Sequence, residues 1–235
     1  MKSLLLQVRG HAKAEAQEIV CFSEALGTAG SGLDRYNLVS SPRIIWRDVE
    51  AADLLLLGGA GEHSVTKRHD FTPYLDEVLG EWIEAGRPFF GSCYGHHVLA
   101  RLFGAEVIRD PSSEEVGTFD ISLTPAGLCD PLFGTLPRTF SAQLGHHDRV
   151  SELPEGLVEL ARSKRCAIQA ARVGERPAYS TQFHPEITEA QMRDRLMMYR
   201  DSYLDPDVTL DSLIESLGPT VEAGRLLKRF LEIYF

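Results

Sequence analysis

The sequence predicts an α/β fold: an open, mostly parallel central sheet with helices on both faces and added antiparallel strands. Three observations predict it. Strand-like and helix-like stretches alternate through the first two-thirds of the chain. The run Ala52–Leu57 is almost continuously apolar instead of alternating, as a parallel strand covered on both faces must be. From Thr118 to Gln182 the strand-like stretches then follow closely on one another, which is the spacing of antiparallel hairpins. One domain over 1–235, with a C-terminal helical extension at about 189–235, is the simplest organisation.

Leu4 to Val8 reads as the first buried strand. Ala12 to Leu26 repeats apolar residues at helical spacing, and the glycine-rich stretch from Gly27 to Gly32 breaks it. Leu33 to Val39 and Ile44 to Trp46 are short strand candidates. Ala52 to Leu57 runs into Gly58-Gly59. Tyr74 to Ala85 reads as a helix stopped by Gly86. Pro88 to Ser92 reads as a short buried strand, and His96 to Phe103 as a helix stopped by Gly104. Thr118–Leu123, Arg138–Leu144, Leu157–Ser163, Ala167–Val173 and Ala178–Gln182 are the closely spaced strands. Glu189 to Phe235 reads as helical, and Leu226, Leu227, Phe230, Leu231 and Tyr234 make an apolar stripe suited to packing on the core.

Composition narrows the function. With 24 Lys+Arg against 34 Asp+Glu the net charge is −10, which opposes general binding to nucleic acid or to an anionic membrane. No apolar run reaches the roughly 20 residues of a membrane span. Arg9, His11 and Lys13 interrupt the apolar start too early for a secretory signal, so a cytoplasmic protein is expected. Cys21, Cys93, Cys129 and Cys166 form no CxxC pair, and reduced thiols are expected. His96-His97 and His146-His147 are poor metal pairs, because adjacent helical side chains diverge by about 100°. Neither a metal nor another cofactor is expected.

The segment Pro88-Phe89-Phe90-Gly91-Ser92-Cys93-Tyr94-Gly95-His96-His97 carries the chemistry. A buried strand enters Gly-x-Cys-x-Gly and a helix leaves it, the arrangement of a nucleophile elbow with sulfur in place of a hydroxyl. The sharp turn leaves no room for side chains at Gly91 and Gly95. The Tyr94 N–H can face an oxyanion, and the helix start favours a thiolate. A structural cysteine on a tight turn would give the same string. What tips the balance is Phe183-His184-Pro185-Glu186, just after a strand. There a histidine can serve the thiol as base while a carboxylate two residues on fixes its tautomer. Leu57-Gly58-Gly59-Ala60-Gly61 offers side-chain-free backbone for a second oxyanion donor. It is not a phosphate loop, because no GK[ST] follows.

Gly91-Ser92-Cys93-Tyr94-Gly95-His96-His97 resembles the G-x-C-x-G-x-Q signature of class I (triad) glutamine amidotransferase domains, and Phe183-His184-Pro185-Glu186 is similar to their F-H-P-E signature. Leu57-Gly58-Gly59 resembles their oxyanion loop. Glu114-Glu115-Val116-Gly117 and His146-His147-Asp148-Arg149-Val150 resemble segments of the GMP-synthase-like branch. The likeness spans about residues 50 to 190. It implies a flavodoxin-like sheet, Cys93 as nucleophile, His184 as base, Glu186 as its orienter, and Gly59 and Tyr94 as oxyanion donors. It also implies substrate contacts at Gly58, His97, Gly145, His146, His147 and Asp148. His97 departs from the family's glutamine, and His147 stands where many relatives have glycine. Both departures bear on the substrate and leave the nucleophile intact.

Three functions follow as alternatives. The first is glutamine hydrolysis through a γ-glutamyl thioester, with ammonia passed to a separate synthetase partner. No SGGxDS-type loop occurs, Ser31-Gly32-Leu33-Asp34 being too short a match. The second is a stand-alone hydrolase of γ-glutamyl peptides or amides using the same triad. The third is a non-catalytic regulatory relative.

Overall fold

Four consecutive leucines, Leu54–Leu57, form the strand β3, and none has any exposed surface. Such a strand is stable only where both of its faces are covered, and burial of each leucine contributes roughly 1.5–3 kcal/mol. Side chains alternate across a strand. Leu55 and Leu57 therefore join one apolar core with Leu75, Leu79, Trp82 and Leu99, while Leu54 and Leu56 join a second with Phe22, Phe90, Leu227 and Phe230. The sheet is the partition between the two cores. The computed structural model describes residues 1–28, 32–199 and 209–235.

The parallel half contains β1 (Ser3–Gln7), β2 (Leu33–Asn37), β3, β4 (Phe89–Ser92) and a late strand (Ala178–Thr181), in the order β2-β1-β3-β4-late strand. The helices α1 (Ala12–Leu26), α2 (Trp46–Val49), α3 (Thr72–Glu84) and α4 (Tyr94–Leu102) occur along this half of the chain. Between α4 and the late strand run β5 (Val107–Arg109), β6 (Glu115–Leu123), α5 (Pro125–Cys129), β7 (Thr139–His146), β8 (Asp148–Val150), β9 (Leu157–Ser163) and β10 (Ala170–Val173), which makes the late strand β11. The order continues β11-β10-β9-β6-β7 with every pairing antiparallel. Four of the five closely spaced strands thus extend the central sheet in antiparallel fashion, as the sequence predicts, whereas the fifth, β11, lies parallel to β4 and completes the parallel half. β5 and β8, which no sequence pattern announces, pair separately. Each is only three residues long, too short to show a period.

The candidate strand Ile44 to Trp46 is not a strand. Ile45 stands before α2, and its N–H donates to Asp48 Oδ2 at 3.0 Å. Ile44 is buried in the first core and Ile45 is exposed, so two apolar residues in a row signal one core contact and one helix entry. Gly27, at φ 71°, closes α1 in the left-handed region. Residues 29–31, within the glycine-rich break and including Ser31, lie outside the described residues. The C-terminal stretch divides into α6 (Glu189–Met198), α7 (Leu210–Glu215) and α8 (Leu226–Tyr234). Residues 200–208 lie outside the described residues. The chain is non-helical around Gly218, whose backbone exchanges hydrogen bonds with Thr118 and Gln143. The stripe on α8 buries Leu226, Leu227 and Phe230 completely.

One consequence of this order positions the chemistry. β3, β4 and β11 are adjacent and parallel, so Gly58-Gly59, Cys93 and Gln182–His184 emerge side by side at their carboxyl ends. That rim is where open α/β sheets place ligands.

Candidate active site

Cys93 links β4 to α4 with φ 52° and ψ −95°, and it is the single non-glycine residue with positive φ among the described residues. A side chain held there costs on the order of 1–3 kcal/mol. The surroundings hold it in place. Its N–H donates to the Thr181 carbonyl at 2.7 Å, and its own carbonyl accepts from the His96 and His97 N–H groups as α4 begins. The flanking glycines are required for two separate reasons. A Cβ on Gly91 would lie 2.7 Å from the Gly95 carbonyl group, whereas one on Gly95 would lie 2.4 Å from the Leu57 oxygen. Gly91 permits the bend itself, and Gly95 permits the close approach of α4 to β3.

His184 follows β11, where its N–H donates to the Gln143 carbonyl at 2.9 Å. Its Nδ1 lies 2.7 Å from Glu186 Oε1. Both residues are buried. Burial disfavours the charged imidazole, but the Glu186 carboxylate and then the Cys93 sulfur outweigh it and raise the His184 pKa to about 9. Burial likewise opposes the Glu186 carboxylate, yet His184 holds its pKa below the usual value. The two groups form an ion pair facing the cysteine.

Gly59 closes the third side. A Cβ there would sit 3.0 Å from His184 Cε1 and 3.8 Å from Cys93 Cβ, so the bare backbone of Gly59 lies against both. The Tyr94 N–H belongs to the first residue of α4, one of the donors that a helix leaves without an internal partner. Its phenol ring is buried in the first core. Gly58 points elsewhere. A Cβ on it would lie 2.4 Å from Glu18 Oε1, so it packs toward α1 and does not line the cleft.

The cleft has a volume of about 320 Å³ and is lined by Cys93, Tyr94, His97, residues 60–64 and residues 145–148. Gly145, His146, His147 and Asp148 therefore reach it together. His146 is buried, with Nε2 3.2 Å from Glu115 Oε2 and Nδ1 3.0 Å from the Asp148 carbonyl. His147 pairs with Glu114 at 3.1 Å. Asp148 accepts a hydrogen bond from the Ser64 hydroxyl. His97 is buried, with Nε2 2.7 Å from Gln182 Oε1. Burial pushes its pKa down to about 4, so the ring is neutral near pH 7. His96 turns away to Ser180 at 2.9 Å.

Three neighbours of this centre escape sequence reasoning. Ser92 Oγ lies 2.9 Å from each oxygen of Glu186 and 3.2 Å from His184 Nδ1. Gln182 Nε2 lies 3.9 Å from Cys93 Sγ. Arg9, buried beyond the end of β1, pairs with buried Glu18 at 2.6 Å behind Gly58 and Gly59. Ser92 sits inside a motif already singled out and Gln182 immediately before one, which is the signal available for them. Nothing local marks Arg9 and Glu18 as partners.

The chain is similar to known proteins in sequence and in fold. The sequence model of the family described as glutamine amidotransferase class-I matches residues 23–200. The chain is 34% identical over 120 residues to one of the subunits of the glutamine-hydrolyzing GMP synthase of Pyrococcus abyssi, a match covering 51% of this chain and 62% of that protein. It is 30% identical over 151 residues to the glutamine-hydrolyzing GMP synthase of Thermosipho africanus, covering 64% of this chain and 27% of that one. The match thus spans less than two-thirds of the length of either relative. A glutamine amidotransferase from Thermotoga maritima has the same fold, with a TM-score of 0.79, 21% identity, and coverage of 100% of this chain and 97% of the other.

Proposed function

The chain belongs to the class-I glutamine amidotransferase family, and from that premise we propose that it hydrolyses the γ-carboxamide of glutamine, with the ammonia consumed by a separate synthetase. The observation that carries this reading is the convergence of the Cys93 elbow, the His184–Glu186 pair and the Gly59 backbone at one rim of the sheet.

Each step assigns work to a group of this chain. The proton of the Cys93 thiol rests on His184 Nε2, and Cys93 Sγ attacks the amide carbon. The carbonyl oxygen becomes an oxyanion held by the Gly59 and Tyr94 N–H groups, donors whose value lies in being fixed before the charge develops. His184 gives its proton to the departing nitrogen, and ammonia leaves a γ-glutamyl thioester on Cys93. His184 then takes a proton from water, hydroxide attacks the thioester, and glutamate departs. Glu186 keeps the Nδ1–H tautomer throughout. Gly145, His146, His147 and Asp148 form the wall that meets the amino-acid end of the substrate, with His97 at the floor.

The homologues named as one component of a GMP synthase support a synthetase partner for this chain. A second reading, cleavage of a γ-glutamyl peptide or amide, is favoured by one observation. His97 directs its Nε2 to Gln182 and not to the open cleft, which leaves fewer donors to select a free amino acid. The leaving group would then be a larger amine, expelled by the same steps.

Glutamate and ammonia release from glutamine, and glutamate release from γ-glutamyl peptides, separate the two. Cys93→Ala is expected to abolish both activities and the covalent thioester seen by mass spectrometry. Full activity in that variant removes Cys93 as the nucleophile. A folded wild-type protein that turns over neither substrate, with or without a synthetase, points to the non-catalytic regulatory alternative.

A further inference from the structure

Ser92 is fully buried at the last position of β4, immediately before the proposed nucleophile. Burying a hydroxyl costs free energy unless it is hydrogen-bonded, and this one has only His184 and Glu186 as partners among the described residues. Oγ lies 2.9 Å from both carboxylate oxygens of Glu186 and 3.2 Å from Nδ1 of His184. An ionised carboxylate is an acceptor only, so the single hydroxyl proton goes to Glu186. The oxygen lone pairs are then what Ser92 presents to the imidazole. Nδ1 faces a carboxylate and a hydroxyl oxygen, two acceptors, and must carry the hydrogen. Nε2 is left for the sulfur.

We propose that Ser92 is a positioning residue of this centre: its hydroxyl clamps the Glu186 carboxylate and, with it, fixes the proton of His184 on Nδ1. This rests on the triad reading above. The residue that presents the nucleophile and the residue that orients its base are then consecutive in the chain. The strained backbone at Cys93 and the registration of the His184–Glu186 pair are set by one two-residue step.

The consequence is electrostatic as well as geometric. Without the hydroxyl, a buried carboxylate loses one donor and draws more strongly on the imidazolium that remains. His184 then holds its proton to higher pH. The groups around the imidazole that also bear on it are Cys93 and Glu186 in contact, Arg9 and Arg195 across the small cavity they share, and Cys21 through its interaction with Glu186.

Threonine and valine at position 92 have the same shape and differ in the hydroxyl, so Ser92→Thr and Ser92→Val form a controlled pair. The readouts are the His184 titration midpoint, by NMR of histidine-labelled protein assigned with His184→Gln, and the kinetics with glutamine. The expected result is a wild-type midpoint in the Thr variant and a midpoint about one pH unit higher in the Val variant, as loss of a hydrogen bond to a charged group implies. kcat falls about tenfold in the Val variant while KM moves less than twofold, and Thr restores it. Equal midpoints in folded Thr and Val variants overturn the proposal. The NMR titration needs no substrate. A shifted midpoint in a protein that fails to hydrolyse glutamine would refute the glutaminase reading and leave the role of Ser92 standing.

Discussion

At the scale of single residues, the pairing of His184 with Glu186 predicts a pH profile. The raised value near 9 keeps the imidazole protonated at neutrality. Above that value no proton remains for the departing nitrogen, so kcat/KM for glutamine should fall with a midpoint near pH 9, as measured by stopped-time ammonia release. The sign for stability is the same. A folded-state value raised above the ordinary 6.5 gives stabilisation that is complete below about 6.5 and lost as the pH rises through about 9. His97 supports a second prediction. Its neutral ring is bound to Gln182, and an amide side chain there would offer both a donor and an acceptor. His97→Gln should lower KM for glutamine about threefold or more with kcat little changed; identical kinetics would remove His97 from the pocket's selectivity. Cys93, His184 and Glu186 were legible as candidates from short motifs. The partnership of Ser92 with Glu186 was not, because they lie 94 positions apart and a serine before the cysteine has many possible uses.

At the scale of elements, the two glycines of the elbow support a prediction about packing. A Cβ at position 95 would meet the Leu57 carbonyl oxygen at 2.4 Å, and neither partner is a flexible side-chain end. Gly95→Ala must push α4 away from β3, which moves Cys93 relative to Gly59. Misplacement by about 1 Å is expected to cost on the order of 100-fold in kcat, while the circular dichroism of the folded protein is retained. Wild-type activity in that variant would show that β3 and α4 can separate freely. The element boundaries were legible where period and punctuation agreed, as in Ala12–Leu26, which ends at a left-handed Gly27. They were not at Ile44–Trp46, because a β-like pair of isoleucines serves one core contact and one helix entry. They were not in β5 and β8 either, which exist through pairing with each other.

At the scale of the molecule, α8 closes the second core over the far face of the sheet from α4. Phe230 is fully buried with ring centroids 5.8 Å from Phe90 and 5.9 Å from Tyr179. Phe230→Ala should destabilise by about 3–5 kcal/mol, read as a melting temperature lower by roughly 10 °C. Activity below the transition should survive, because the rim with Cys93 lies at the strand ends and not on that face. Loss of activity in the folded variant would show that the two cores are coupled through β4. No helix among the described residues is long and apolar enough to cross a membrane.

The sequence by itself determined the alternation of elements, the doubly covered strand β3, and which cysteine, histidine and carboxylate to look for together. These are written in local patterns: an unbroken apolar run, glycines at a bend, a histidine followed by proline and glutamate. The tertiary structure alone decided which strands lie side by side, and hence that three loops far apart in the chain share one rim. It also decided that Arg9 backs the glycine loop after β3 through Glu18, that Gly58 faces α1, and that His97 is bound to Gln182. Such relations depend on strand order and register, and the free energy that selects them comes from burying both faces of the sheet at once, which no single segment can do.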